Sequence, residues 1–160
     1  MKWKLAIITV VISLIAGGAW FTAWANTPST YPKPDKTEIL SLVNAERLKT
    51  GAKALVQSDD MQTVAQMKAD DFVAKGYYAH NIPGINKQYS DEMFAHVDGK
   101  CEAISENITN NIINAKHALE SWMGSPPHRH AILDERYTST GIGVSQDVDG
   151  DYFVVQQFCR

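Results

Sequence analysis

The sequence has no basic stripe. Its 15 lysines and arginines are outnumbered by 18 aspartates and glutamates, for a formal net charge of -3. Nucleic-acid binding through phosphates needs clustered positive charge, so that class of partner is excluded. No internal repeat occurs, and low complexity is confined to one short linker. No H-E-x-x-H or similar compact metal motif is written into the chain. Cysteine is scarce: Cys101 and Cys159 are the only two. Nothing beside either one lowers a thiol pKa, which argues against a cysteine nucleophile.

What is there is the material of one globular domain. The chain has 160 residues, 44% apolar and 21% charged, which fits a single packed core rather than a disordered segment. Residues 1–25 are a different material. Lys2 and Lys4 precede an apolar run from Leu5 to Ala16, and Ala23-Trp24-Ala25 forms an A-x-A cleavage signal. This pattern is a secretory signal peptide. The competing reading is a retained anchor, because the uncharged stretch Leu5–Ala25 is long enough to span a bilayer. Cleavage would take three of the four tryptophans and leave Trp122. Residues 26–34, with three prolines, form a linker to a domain over 35–160. Export makes a disulfide possible, and an even pair of cysteines then reads as a Cys101–Cys159 bond. Two buried thiols that never meet are the alternative.

The domain begins with helices. Asp35 caps the first, with Glu38 three residues on. Ile39, Leu40, Val43 and Leu48 supply its apolar face, and Gly51 ends it. A second helix starts near Ser58 or Asp59 and shows Met61, Val64, Ala65, Lys68 and Phe72 on one face, with Lys68 as the flaw. Gly76 stops it. Ser90–His96 has the pattern of a short helix. Ser105-Glu106-Asn107-Ile108 is a polar step before a third helix from about Ile112 to Gly124. The diproline Pro126–Pro127 stops that helix. A turn carrying His128, Arg129 and His130 follows, then the apolar run Ala131–Leu133. A hairpin closes the chain: Gly141–Val148, a two-residue Asp149–Gly150 turn, and Asp151–Phe158. Helices followed by a hairpin predict an α+β fold.

Four polar residues stand where elements break: His80, Glu106, Ser125 and His128. Two imidazoles and a carboxylate suit zinc or copper binding, or general acid–base chemistry. Hydrogen-bonding histidines at element ends are the plainer reading. Ser125 beside His128 suggests a nucleophile, but a serine at a helix end more often satisfies backbone groups. His96, His117 and His130 read as surface residues and Trp122 as core. Asp147, Asp149 and Asp151 lack the later glutamate of a calcium loop and read as a solvated hairpin tip. Asn107-Ile108-Thr109 is an N-glycosylation sequon.

Several separated stretches together resemble the bacterial CAP domain, the SCP-like module of cysteine-rich secretory, antigen 5 and pathogenesis-related proteins. They are Val43-Asn44-Ala45-Glu46-Arg47 with Gly51 and Leu55, and the second helix ending in Tyr78-Ala79-His80. Ser105-Glu106-Asn107-Ile108 is similar to the G-E-N box, and Trp122–Arg129 to the W-x-x-S-P-x-H-R box. Gly141-Ile142-Gly143 and Val155-Gln156-Gln157-Phe158 match the closing hairpin. The resemblance implies an α-β-α sandwich around a small central antiparallel sheet. It also implies a cleft in which His80 and His128 are the two histidines and Glu106 the acid. Ser125 stands near where eukaryotic members place a second glutamate, which weakens the expected hold on a cation. Ser105 replaces the usual glycine, and the long stretch 81–101 would then be a rim to the cleft.

The function expected from the resemblance is a secreted or periplasmic, non-enzymatic binding module. Its ligand would be a small apolar molecule or a cell-envelope or host component. His80 and His128 would hold zinc or another divalent cation weakly. The alternative is a metal-assisted, peptidase-like hydrolase in which Glu106 activates water. A third reading is a structural protein with a vestigial cleft. No nucleic-acid partner and no stable membrane insertion after signal cleavage are expected.

Overall fold

The computed structural model describes residues 31–84 and 101–160. The signal segment and the Ser90–His96 helix expected from the sequence lie outside the described residues. Helix α1 spans Lys36–Lys49, strand β1 Val56–Gln57, and helix α2 Asp59–Lys75. Strand β2 runs over Ile104–Ile112, helix α3 over Ala115–Met123, and helix α4 over Pro126–Leu133. Strands β3 (Ser139–Gln146) and β4 (Tyr152–Cys159) close the chain. The sheet order is β1-β3-β4-β2. Its three long strands pair antiparallel, and β1 joins β3 in parallel over two residues.

The sheet is covered on both faces. One face carries α2, whose Ala65, Ala69 and Phe72 pack on Ile108 and Val155. The other carries α1, α3 and α4, around a larger cluster that includes Val43, Trp122, Ile132, Val144 and Phe158. The fold is therefore α+β, helices sandwiching a small sheet. Trp122 is fully buried in the larger cluster, as the sequence predicts. The Cys101–Cys159 disulfide is formed, with Cα atoms 5.5 Å apart.

Helix ends follow the sequence closely. The Asp35 carboxylate accepts from the Glu38 N–H at 2.7 Å. Ser58 caps α2, and Gly76 ends it at φ 64°, a left-handed position that costs glycine nothing. The α1 face differs from the expected one: Leu48 is 63% exposed and its neighbour Arg47 is buried. The Arg47 guanidinium donates to the carbonyls of Lys53, Ile132, Asp134 and Tyr137, at 2.6–3.0 Å. One side chain thus holds the loop after α1 and the chain leaving α4.

Four boundaries depart from the sequence reading. The polar step at Ser105–Ile108 is part of strand β2, which extends to Ile112 before α3 begins. Asn107 and Thr109 are buried along with Ile108, so no apolar–polar alternation advertises the strand. The α3 start moves to Ala115, where the Asn114 side chain accepts from the His117 N–H at 2.8 Å. From that start Ala115, Ala118, Leu119 and Trp122 form the buried stripe. The diproline opens α4 rather than merely ending α3, since proline is tolerated where a helix N–H has no partner. His128 and His130 therefore ride on a helix, not a turn. The hairpin connection spans 147–151. There the Asp147 carboxylate accepts from the N–H groups of Asp149 and Asp151 at 3.0 and 2.9 Å, holding a longer loop than a two-residue turn.

Helix α2 lies unusually close to β3. A methyl group at Gly141 or Gly143 would overlap the backbone of Met61 or Ala65. Two α2 glutamines use this closeness to pair with the outer edge of β3. Gln62 donates to the Ile142 carbonyl at 2.5 Å and accepts from its N–H at 3.2 Å. Gln66 does the same at Val144, at 3.1 and 3.3 Å.

Candidate functional site

The residues singled out from the sequence converge beside strand β2. His80 lies just past α2, on a segment without regular structure. Glu106 projects from β2 on the α2 side of the sheet and is paired in register with Gln157 of β4. His128 comes from the first turn of α4, in the opposite helical layer. The His80 and His128 rings stand 6.4 Å apart between centroids, inclined at 57°. Segments from both layers thus meet at one place.

Glu106 organises the cluster. Its side chain is 4% exposed against 45% for His80. One carboxylate oxygen is 2.7 Å from His80 Nδ1, and the other accepts from Gln157 Nε2 at 2.6 Å. A carboxylate on Nδ1 fixes the tautomer: the neutral ring donates from Nδ1 and keeps its lone pair on Nε2. Asn107, the next residue of β2, points to the other face and donates to the His128 carbonyl at 3.1 Å. Burial, and then the charge of His80, push the His128 pKa down. His128 therefore favours the neutral imidazole, the form that donates or accepts a single hydrogen bond or ligates a metal.

An aromatic surface adjoins the imidazoles. Tyr78 is 44% exposed. Its ring lies 5.5 Å from Phe72 and 6.3 Å from Phe153. Partial burial, helped by the negative charge of Glu106, pushes its phenol up to about 12. Tyr78 is thus a neutral, partly apolar platform at ordinary pH.

Ser125 sits at the N-cap of α4, half-buried, and its hydroxyl makes no cap hydrogen bond. Among the described residues no hydrogen bond joins it to an imidazole. Among the described residues, no three His, Cys, Asp or Glu side chains gather as a ready metal-ligand group. The donors that suit a cation are His80 Nε2 and the His128 ring, with Glu106 as the orienting acid behind His80. Two imidazoles fit zinc or copper chemically, but leave most of a coordination shell to water or ligand.

The remaining expectations divide. His130 is exposed as expected, whereas His117 is half-buried on α3 with Nδ1 enclosed. The sequon at Asn107 is closed to glycosylation in the fold, because Asn107 is 1% exposed and its amide is engaged. Sequence reasoning missed Gln157, Asn107 and Phe153. Gln157 had a visible signal: a polar pair, Gln156–Gln157, inside a run of β-formers.

Comparison with known proteins agrees with this architecture. The model of the cysteine-rich secretory protein family, CAP, matches residues 40–158. YkwD of Bacillus subtilis is 28% identical over 133 residues, which are 83% of this chain and 49% of that protein. The Bacillus subtilis membrane protein YlbC is 31% identical over 127 residues, 77% of this chain and 34% of that protein. This chain thus spans about half the length of YkwD and a third of that of YlbC. The crystal structure of an extracellular SCP-domain protein from Bacillus anthracis superposes with a TM-score of 0.70 at 25% identity. That likeness covers 78% of this chain and 40% of that one. The chain belongs to the cysteine-rich secretory protein (CAP) family.

Proposed function

We propose that this CAP domain is an extracytoplasmic binding module rather than an enzyme. Its ligand has an apolar body, either a small molecule or part of a cell-envelope or host component. The half-exposed Tyr78 ring, backed by the buried Phe72 and flanked by Phe153, takes the apolar body. The His80–His128 pair takes a polar group or, weakly, a divalent cation such as zinc. The observation that carries this reading is the state of Glu106. Both of its oxygens are engaged, on His80 and on Gln157, and its side chain is 4% exposed, which favours an orienting role over the activation of water. The alternative is a metal-assisted hydrolase. It draws on the same 2.7 Å His80–Glu106 contact, which is also the geometry of an oriented general base.

Calorimetric titration of residues 26–160 with zinc and with copper tests the proposal, beside the His80→Ala/His128→Ala double variant. Weak binding in the parent protein that disappears in the double variant is the expected result. Glu106→Gln separates the two readings. A binding module keeps affinity for its apolar ligand, whereas a hydrolase loses peptide cleavage with its fold intact. Tight binding together with cleavage that Glu106→Gln abolishes would overturn the non-enzymatic reading.

A further inference from the structure

Lys68 is the flaw in the apolar face of α2, and it is fully buried. Among the described residues, its ammonium lies within hydrogen-bond distance of three oxygens. These are the Ala79 carbonyl at 2.8 Å, the His80 carbonyl at 3.1 Å and the Tyr77 hydroxyl at 3.2 Å. It also lies 4.6 Å from the centre of the Phe72 ring and 4.9 Å from that of Tyr77. Tyr77 in turn donates to the Asp71 carboxylate at 2.6 Å, and Asp71 is paired with Lys75 at 2.7 Å. A chain of polar contacts therefore runs from the surface of α2 to the backbone that carries His80.

Burying an ammonium is costly, and a core position on α2 is filled more cheaply by leucine or methionine. What a methionine lacks is the ability to donate. Ala79 and His80 sit in a segment without helix or strand, so side-chain donors take over the work of a backbone ladder there. The ammonium draws two consecutive carbonyls to α2. Glu106 holds the same residue through its ring. His80 is thus fixed twice, by its backbone on Lys68 and by its imidazole on Glu106.

We propose that Lys68 is a positioning residue for the site: it sets where His80 stands relative to His128, through the Ala79 and His80 carbonyls. The imidazole pair is then organised in two shells, and the outer one is an α2 cation supported by Tyr77 and Asp71.

The test is Lys68→Met, which keeps the aliphatic stem and removes the donor. His80 is followed in the full domain by the nitrogen chemical shifts of its ring, recorded without metal, and zinc affinity is followed by calorimetry. The metal readout rests on the binding role proposed above, whereas the ring readout does not. A failure of zinc to bind the parent protein therefore leaves the positioning role decided by the ring shifts. In folded Lys68→Met the His80 ring resonances move, and zinc affinity falls about tenfold, the usual cost of losing an orienting partner. Tyr77→Phe removes one oxygen from around the ammonium and moves the same resonances less; it serves alone if Lys68→Met does not fold. Leu119→Ala, in the other core cluster, lowers stability and leaves the His80 ring where it was. Unmoved His80 resonances in both Lys68→Met and Tyr77→Phe would overturn the proposal. So would an equal displacement in Leu119→Ala, since that would mean general loosening.

Discussion

Arg47 and Lys68 are both fully buried cations, and they lie on opposite sides of the sheet. Each holds chain segments through backbone carbonyls. Burial pushes both pKa values down, while nearby carboxylates, Asp134 and Glu135 for Arg47 and Glu106 and Asp71 for Lys68, pull them back up. The surroundings differ. Arg47 borders the larger cluster and reaches four carbonyls with its planar fork. Lys68 borders a cluster of five buried residues and serves two carbonyls and a phenol with a point charge. The fork ties together segments far apart in sequence and so maintains the fold. The point charge acts locally, on the backbone of a residue whose ring faces solvent. The difference teaches that a buried cation is read by what its carbonyls carry: architecture in one case, an imidazole in the other.

The largest expected effect is on the Arg47 side. Arg47→Met strands four carbonyls and costs about 4 kcal/mol of stability, read from a urea midpoint. A loss below about 1 kcal/mol would break the contrast, because the carbonyls would then have found water. Lys68→Met costs about 2 kcal/mol by the same measurement, with fewer oxygens orphaned. A loss equal to that of Arg47→Met would make Lys68 a second fold anchor. The smallest effect is electrostatic. A histidine whose pKa is lower in the folded state binds its proton less readily there than when unfolded. The stability contribution of His128 is therefore complete above its unfolded pKa, about 6.5, and is lost as pH falls through that value towards the folded one. His128→Gln flattens the decline of melting temperature between pH 7 and 5, and an unchanged slope would remove His128 as its source.

Much of the architecture was legible because it rests on local chemistry. Asp35, Ser58 and Gly76 mark helix ends through caps and a left-handed position, and those signals need only a few neighbouring residues. Strand β2 was hidden because its buried faces are polar. The Asn107 amide donates to the His128 carbonyl on α4 and the Thr109 hydroxyl pairs with Ser121 on α3, both outside any local window. The α3 stripe was blurred by a misplaced start, and moving that start to Ala115 makes it plain. For the site, His80, Glu106 and His128 were found through separate family boxes. Their convergence comes from pairing across the sheet edge, which no local window contains. Arg47 and Lys68 were seen as a motif residue and a blemish. Only the carbonyls they reach, most of them supplied by distant segments or by a loop, explain why the charges are inside.

The glutamine pairs on β3 carry one more consequence. At Ile142 and Val144 the strand's outward N–H and C=O groups are already answered by side-chain amides. An incoming strand from another molecule would have to evict two anchored amides before gaining its first ladder bond. The border of the sheet is in this sense self-terminating. A domain that works at high local concentration is spared from seeding its own polymer along that side.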